Sequence, residues 1–338
     1  MPFIGSKVHG EDAVKRLISV ILALWIAPGL ACAAPPAEAK APKPTFTKTV
    51  AKKAKARPKA LHKVLARSAR PQPVRMTPLF EDNGAEPLLK SSAAFVLDPS
   101  DGRTLYAKNI TSVQPIASIT KLMTAMVVLD GKLDLQEPVA ITEDDVDSLK
   151  HTRSRLQVGT VLARDDMLRL ALMASENRAA AALGRAYPGG IGAFVRAMNQ
   201  KAADLGMQRT RFVDSSGLSS ENVSTAEDLA KMVTAAYRYP TIQQYTTLTD
   251  HAVALNSGRL LAYHNTNGLV RDVHWEIDVS KTGYISEAGR CIVMQARISA
   301  KPIVIVLLDS WGRYTRIADA NRVKKWLESQ LARQASAG

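Results

Sequence analysis

The stretch Ser118-Ile119-Thr120-Lys121-Leu122-Met123 sets a hydroxyl and an amine three residues apart. It heads an apolar run that continues through Ala125, Met126, Val127, Val128 and Leu129. At helical spacing, positions i and i+3 share one face, one turn apart. The run is apolar on nearly all sides, so the helix it predicts, ending near Leu129, is central rather than superficial. An idle lysine at the head of such a helix is costly, because desolvation disfavours its charged form. A neutral amine beside a hydroxyl is a base that makes a weak nucleophile useful. Serine and lysine at this spacing also occur on many solvated helices, so the meaning of the pair depends on its surroundings.

Outward on the N-terminal side, residues 91–107 read as a hairpin. Ala93-Ala94-Phe95-Val96-Leu97 is an apolar run, Asp98-Pro99-Ser100-Asp101-Gly102 is dense turn chemistry, and Arg103-Thr104-Leu105-Tyr106-Ala107 returns. On the C-terminal side, Val139–Ile141 is a brief extended piece and Asp144–Leu149 a short helix. Arg164–Met173 begins with Asp165-Asp166 and carries Met167, Leu168, Leu170, Ala171 and Leu172, as a helix should. A break at Ala174-Ser175-Glu176-Asn177 precedes an Ala-rich helix from Arg178 to Tyr187. Another helix, marked by Ile191, Phe194, Val195, Met198 and Ala202, stops at Gly206. Ser224-Thr225-Ala226-Glu227 reads as a capping box opening a helix to about Tyr237. Five strands follow, over 251–255, 259–263, 277–281, 290–298 and 302–309, and Arg316–Leu331 closes the chain as a helix. An early hairpin, a helical middle and a late run of strands predict an α+β fold. Its mainly antiparallel sheet is flanked by helices and joined to a helical subdomain, and the early strands pair with the late ones.

Residues 86–338 are thus one folded domain, and the chain before them is of another kind. Lys15-Arg16, the apolar stretch Leu17–Ile26 and the small residues Ala31-Cys32-Ala33 read as a cleavable signal peptide over residues 1–33. The run is short for a bilayer span and is broken by Pro28. Gly29 stands where a lipid-attachment signal at Cys32 carries leucine. Residues 34–85 are a tether rich in Ala, Pro and Lys. Between Ala34 and Arg75, twelve basic residues face Glu38 alone, which is +11 of the formal +14. Such a segment buries too little apolar surface to order itself. In an exported segment whose residues 34–75 hold no aromatic beyond Phe46, that charge points to anionic membrane or wall polymer, or to a merely solvated linker. It does not point to nucleic acid.

Cys291 lies in the apolar stretch Cys291-Ile292-Val293-Met294, where an inert buried thiol is the ordinary case, and no disulfide framework exists. The six histidines show no paired ligand spacing, so neither a metal nor another cofactor is expected. Two further motifs stand out. Ser175-Glu176-Asn177 interrupts two helices, and an extended break would point Ser175 and Asn177 the same way; taken alone it reads as a plain helix stop with a cap. Lys281-Thr282-Gly283 follows the alternating Ile277-Asp278-Val279-Ser280. A strand ending in a cation, a hydroxyl and a residue without a side chain suits a carboxylate-bearing peptide laid along its edge, with Gly283 giving the substrate backbone room.

S-x-x-K, a middle Ser-x-Asn and K-T-G, in that order, are the signature of the penicillin-binding and class A β-lactamase families. From about residue 88 to 332 the sequence resembles the penicillin-binding serine D,D-peptidases of low molecular mass, with Glu176 in the middle position of the second motif. It is most similar to the D-alanyl-D-alanine endopeptidases through Met173-Ala174-Ser175-Glu176-Asn177-Arg178-Ala179-Ala180, Tyr187-Pro188-Gly189-Gly190 and Asn265-Thr266-Asn267.

The resemblance implies a β-lactamase/transpeptidase-like fold, peptidoglycan stem peptides as substrate and β-lactams as covalent inhibitors; the cleavable signal peptide implies an exported, periplasmic location. It implies acylation of Ser118 with Lys121 as proton acceptor, and Ser175 relaying a proton to the leaving amine. Asn177 would hold the substrate amide, Lys281 and Thr282 its carboxylate side, and Gly283 would make room for its backbone. The backbone N–H groups of Ser118 and Tyr284 would form the oxyanion hole.

Cleavage of stem-peptide cross-links is the expected reaction, and D-alanyl-D-alanine carboxypeptidase the alternative. The carboxypeptidases of this family usually add a C-terminal β domain and a membrane helix, for which a chain ending at Gly338 has no room. A β-lactamase is disfavoured because no Glu-x-x-Leu-Asn string lies between the second and third motifs. A non-catalytic wall-binding protein is disfavoured by the intact Ser118, Lys121, Ser175 and Lys281.

Overall fold

The computed structural model describes residues 86–337. The expected signal peptide, residues 1–33, and the basic segment 34–85 lie outside the described residues.

Strands β1 (Ser91–Asp98) and β2 (Arg103–Lys108) form the expected hairpin, closed by Gly102 at φ +75°. A two-residue β3 (Gln114–Pro115) leads into a 3₁₀ turn, Ala117–Ile119, and then α1 (Thr120–Asp130). Every residue of α1 from Thr120 to Val128 is buried, as its all-round apolarity requires. Ser118 therefore sits in the tight turn that feeds the helix, not within the helix itself.

Strands β4 (Pro138–Ala140) and β5 (Val161–Ala163) pair antiparallel. Between them the expected helix over 144–149 is only a 3₁₀ turn, Glu143–Asp145, closed reciprocally by Thr142 and Asp145. Beyond it the Asp147 carboxylate accepts the backbone N–H groups of Leu149, Lys150 and Thr152. A side chain that gathers N–H groups in this way competes with a helical ladder.

The helical part continues with α2 (Arg164–Met173), α3 (Asn177–Arg185) and α4 (Gly190–Asp204). Helix α3 starts one residue earlier than expected because the Glu176 side chain caps it, accepting from Arg178 N. Strand β6 (Val223–Ser224) pairs with β3, and α5 (Ala226–Ala236) follows. The cap of α5 is Thr225, which accepts from Asp228 N; the expected box at Ser224 is displaced by one residue because that hydroxyl bonds Thr210 Oγ1 instead. A helix the sequence reading missed, α6 (Pro240–Thr247), opens with Pro240 in its first turn, a position where the missing N–H costs nothing.

The last third contains the hairpin β7 (Asp250–Ala254) and β8 (Leu260–His264). Long strands β9 (Glu276–Ile285), β10 (Gly289–Ile298) and β11 (Lys301–Ser310) come next, then α7 (Thr315–Ala337). The main sheet has the order β2-β1-β11-β10-β9 and is antiparallel throughout, with Phe95 opposite Val306 joining the early hairpin to the late strands. This is the predicted α+β architecture.

Alternation along the strands divides the core. Phe95, Val293, Val304 and Val306 face α5 and, behind it, the rest of the helical core. Val96, Ile292, Met294, Ile305 and Leu307 face Ala320, Val323 and Leu327 of α7. Both faces are covered, so the strands read as unbroken apolar runs instead of alternating ones. Strand β9 remains at the edge of the sheet, with its outer side turned toward the turn before α1.

Candidate active site

The turn before α1 is held where chain sterics alone would not put it. Ala117 lies in the left-handed region at φ +49°, a placement that costs a non-glycine residue on the order of 1–3 kcal/mol and persists only where neighbours enforce it. The neighbours are Thr120, whose hydroxyl donates to Ala117 O at 2.8 Å, and Gly217, where a Cβ would meet that carbonyl oxygen at 2.0 Å. Ser118, half-buried between them, turns its Oγ to Lys121.

Lys121 is fully buried and its Nζ has three partners: Ser118 Oγ at 2.8 Å, Asn177 Oδ1 at 2.8 Å and Ser216 O at 2.6 Å. Burial pulls its pKa down to about 7, against a weaker upward pull from Asp214 and Glu176. The three partners suit either protonation state. An ammonium donates to all three, whereas a neutral amine donates to Asn177 and Ser216 and offers its lone pair to the Ser118 hydroxyl.

The segment that supplies Ser216 O was not singled out in the sequence. The Asp214 carboxylate accepts N–H from Ser216 at 2.6 Å, Gly217 at 2.6 Å and Ser219 at 2.9 Å. Asn222 fastens this loop to the turn below it. Its side chain accepts from Val213 N and donates to Thr120 Oγ1, and its carbonyl accepts from Ile116 N. Asp-Ser-Ser-Gly is ordinary turn chemistry in sequence. Its part in the site comes from a contact 95 residues away in the chain, for which sequence carries no local signal.

Ser175, Asn177 and Lys281 come to the same place, with a different local geometry from the one expected. The break after α2 is not an extended piece: Ser175 is left-handed at φ +59°, and Asn177 already belongs to α3. The kink aims Ser175 Oγ at Lys281 Nζ, 2.9 Å away, while Asn177 bonds Lys121. Lys281 is as buried as Lys121 and lies well below the ordinary lysine range, first through burial and then through repulsion by Lys121 and Arg316. The site therefore holds two buried amines, each tied to a serine hydroxyl.

Lys281-Thr282-Gly283 lies inside β9, which runs on to Ile285, and not at a strand end. Thr282 Oγ1 donates to Thr266 Oγ1 at 2.8 Å, and Thr266 N donates to Met173 O, which ties β9 to the end of α2. Gly283 corrects the expectation placed on it. Its missing Cβ would meet Ile116 O at 2.9 Å, Ala117 Cβ at 3.1 Å and Ser118 N at 3.2 Å. The room it makes in this structure is taken by the Ser118 turn.

Arg316 Nη1 donates to Gly283 O and Cys291 O, residues paired across β9 and β10. Both carbonyls thus lie between the strands, and alternation turns the N–H of Tyr284 to the open edge. Cys291 itself is buried, its thiol raised to about 11 by desolvation, the inert thiol expected.

The rim of the cleft is the loop 147–152. Thr152 Oγ1 accepts from Asn177 Nδ2 at 3.1 Å, and Lys150 forms an ion pair with Glu287 in the β9–β10 turn. Among the described residues no group of three His, Cys, Asp or Glu side chains is placed to hold a metal ion.

A serine whose hydroxyl meets a buried lysine, beside a second serine–lysine pair on a sheet edge, defines the class of active-site-serine acyl transferases and peptidases. The family profile described as D-alanyl-D-alanine carboxypeptidase, peptidase S11, matches residues 81–311. A D-alanyl-D-alanine endopeptidase of Pseudomonas aeruginosa is 47% identical over 263 residues, 78% of this chain and 83% of that protein. One of Escherichia coli is 46% identical over 246 residues, 72% of this chain and 79% of that protein. Among solved structures, penicillin-binding protein D2 of Listeria monocytogenes in its ampicillin-bound form superposes with a TM-score of 0.62 at 30% identity. That match covers 72% of this chain and 98% of the other. The chain belongs to the S11 family of serine D-alanyl-D-alanine peptidases.

Proposed function

We propose that this protein hydrolyses the D-alanyl peptide bonds that cross-link peptidoglycan stem peptides, through an acyl-enzyme on Ser118. The observation that carries the reading is the single buried nitrogen, Lys121 Nζ, bonded at once to Ser118 Oγ, Asn177 Oδ1 and Ser216 O. In this reading neutral Lys121 takes the proton of Ser118 as Oγ attacks the carbonyl carbon of the D-alanyl residue. The N–H groups of Ser118 and Tyr284 receive the oxyanion; one such donor is worth roughly 2.7–4 kcal/mol of transition-state stabilisation. The proton reaches the leaving amine through Ser175, and the C–N bond breaks. Water then attacks the ester, releasing the acid and restoring Ser118.

Lys281 and Thr282 take the carboxylate side of the substrate, and Asn177 its amide. A bound carboxylate would favour the charged form of Lys281, whose repulsion then favours neutral Lys121. Gly283 serves by letting β9 and the Ser118 turn close to contact.

Cross-link cleavage is favoured over carboxypeptidase trimming by the names of the relatives at 47% and 46% identity, both endopeptidases. The ampicillin-bound neighbour supports covalent capture of β-lactams at Ser118. The reading of residues 1–33 as a signal peptide and of 34–85 as a basic tether supports work in the periplasm, with the tether drawn to anionic membrane or wall polymer. Incubation with purified cross-linked muropeptide dimers tests the reading. Release of monomers is the expected result. Release of free D-alanine alone would replace it with the carboxypeptidase reading, and neither product, together with no labelling by fluorescent penicillin, would leave a wall-binding protein without catalysis.

A further inference from the structure

Aromatic residues make up only 5% of this chain, yet three of them stand exposed at one end of the main sheet. Trp311 is 89% exposed, Tyr314 69% and Tyr284 56%. A tryptophan is ordinarily buried over most of its surface, so one this bare in a protein with a well-filled core calls for an occupant. Their positions are linked by the register. Tyr284 on β9 pairs with Arg290 on β10, Arg290 pairs with Ser310 on β11, and Trp311 is the next residue. The Arg290 guanidinium stacks 4.5 Å over the Tyr284 ring, and that of Arg313 lies 5.4 Å from the Tyr314 ring. Arg316, one turn further on, reaches back to Gly283 O.

The patch is cationic as well as aromatic. Among the described residues, none of Arg290, Arg313 and Arg316 forms an ion pair with a carboxylate. After burial, the charge of Arg290 is the strongest influence lowering Arg316, as expected of cations left facing one another. The patch is also continuous with the cleft. Tyr284 is both its first ring and the residue whose N–H faces the open edge of β9. Two strand spacings, about 10 Å, separate that edge from β11 and Trp311. A polymer whose peptide lies along β9 therefore has this surface within reach of its next units.

We propose that Trp311, Tyr314 and the arginines around them form a docking platform for the glycan strand of the polymer whose peptides enter the cleft. Flat aromatic faces stack against the C–H faces of sugar rings, and the guanidinium groups attract carboxylates of neighbouring stem peptides. This rests on the peptidoglycan reading above. On it, the platform raises the effective concentration of cross-links at Ser118 without touching the reacting bond.

The test uses the full chain and the double variant Trp311→Ala, Tyr314→Ala, assayed on intact cross-linked peptidoglycan and on a glycan-free cross-linked peptide dimer. Acylation by fluorescent penicillin reports the state of the catalytic residues. Without the two stacking rings, kcat/KM on the polymer falls roughly ten-fold, while the peptide dimer and penicillin acylation are unchanged. An equal loss on both substrates, or no loss on the polymer, overturns the platform.

Failure of the catalytic reading is separable, because it shows as wild-type protein inert toward the dimer. In that event binding still decides: Ser118→Ala protein should be retained on peptide-free glycan strands and lose retention with the two further substitutions. Retention on anionic vesicles that depends on Trp311 and Tyr314, with polymer kinetics unaltered, assigns the patch to a membrane and overturns the proposal.

Discussion

Lys121 at the floor of the cleft and Lys150 at its rim each join two distant parts of the chain, in different media. Lys121 is fully buried, spends its nitrogen on three acceptors and is pulled down to about 7. Lys150 has 27% of its side chain exposed and meets one carboxylate, that of Glu287, itself 41% exposed. Removing a partner at the floor strands buried polar groups that have no water to turn to, whereas at the rim solvent and salt replace whatever is lost. Chemistry belongs where geometry is enforced, and adjustment to the substrate belongs where it is not. The floor should therefore break sharply and the rim hardly at all.

The largest effect expected is at the floor. Lys121→Ala should slow acylation by penicillin by about 10²–10⁴, the usual worth of a general base, with the fold retained by circular dichroism. In the native protein, acylation should rise with pH through about 7, because the base must be unprotonated to accept the Ser118 proton. A rate unchanged within a few-fold in Lys121→Ala, or a flat profile between pH 5 and 9, would remove Lys121 from that role.

Stability should follow the same group. The folded pKa lies below the ordinary 10.5, so between about 7 and 10.5 the unfolded chain binds the proton more readily. The cost of burying Lys121 is thus complete below pH 7 and fades as pH rises toward 10.5.

A smaller effect is expected one step outside the reacting groups. In Gly217→Ala the new Cβ would press on Ala117 O, 2.0 Å away, at a backbone φ of +81° that alanine resists. Relief requires the Ala117–Ser118 turn to move. A displacement near 1 Å at a reacting atom costs on the order of 100-fold. The check is penicillin acylation compared with thermal stability: acylation should fall about 100-fold even where a folded protein is recovered. A folded variant that acylates at the native rate would show that the turn is not set by Gly217.

Gly217 also marks what the sequence did and did not disclose. The central helix was legible because Leu122 to Leu129, Thr124 apart, is apolar on nearly every side, and the three motifs were legible because their residue types are reactive. The strands β10 and β11 declared themselves as apolar runs, since α7 covers one face and the central helices the other. What the sequence hid is non-local. Asp214, Ser216, Gly217 and Asn222 look like loop chemistry and become parts of the site only by meeting Ala117, Thr120 and Lys121 across the fold. Gly283 was singled out for the room it would give a substrate backbone, whereas in the fold the Ser118 turn lies where its Cβ would be. The helix expected over 144–149 failed because Asp147 collects three N–H groups that a helix would have needed.

The smallest effect is expected at the rim. Glu287 is held down to about 2, first by its hydrogen bonds from Lys150 and Ser286, so the pair with Lys150 stays charged across the working pH range. The pair is nevertheless exposed and closes no buried network. The loop it fastens is already held by Asp147 and by Thr152 against Asn177. Lys150→Ala should therefore leave acylation by penicillin within about two-fold, since an inhibitor small enough to lie on the floor does not need the strap. Salt on the order of 0.5 M should reproduce the effect of the substitution in the native protein, because exposed charges are screened there and buried ones are not. A loss as large as that of Lys121→Ala, unaltered by salt, would mean that the strap fixes Asn177 and that rim and floor are one rigid unit.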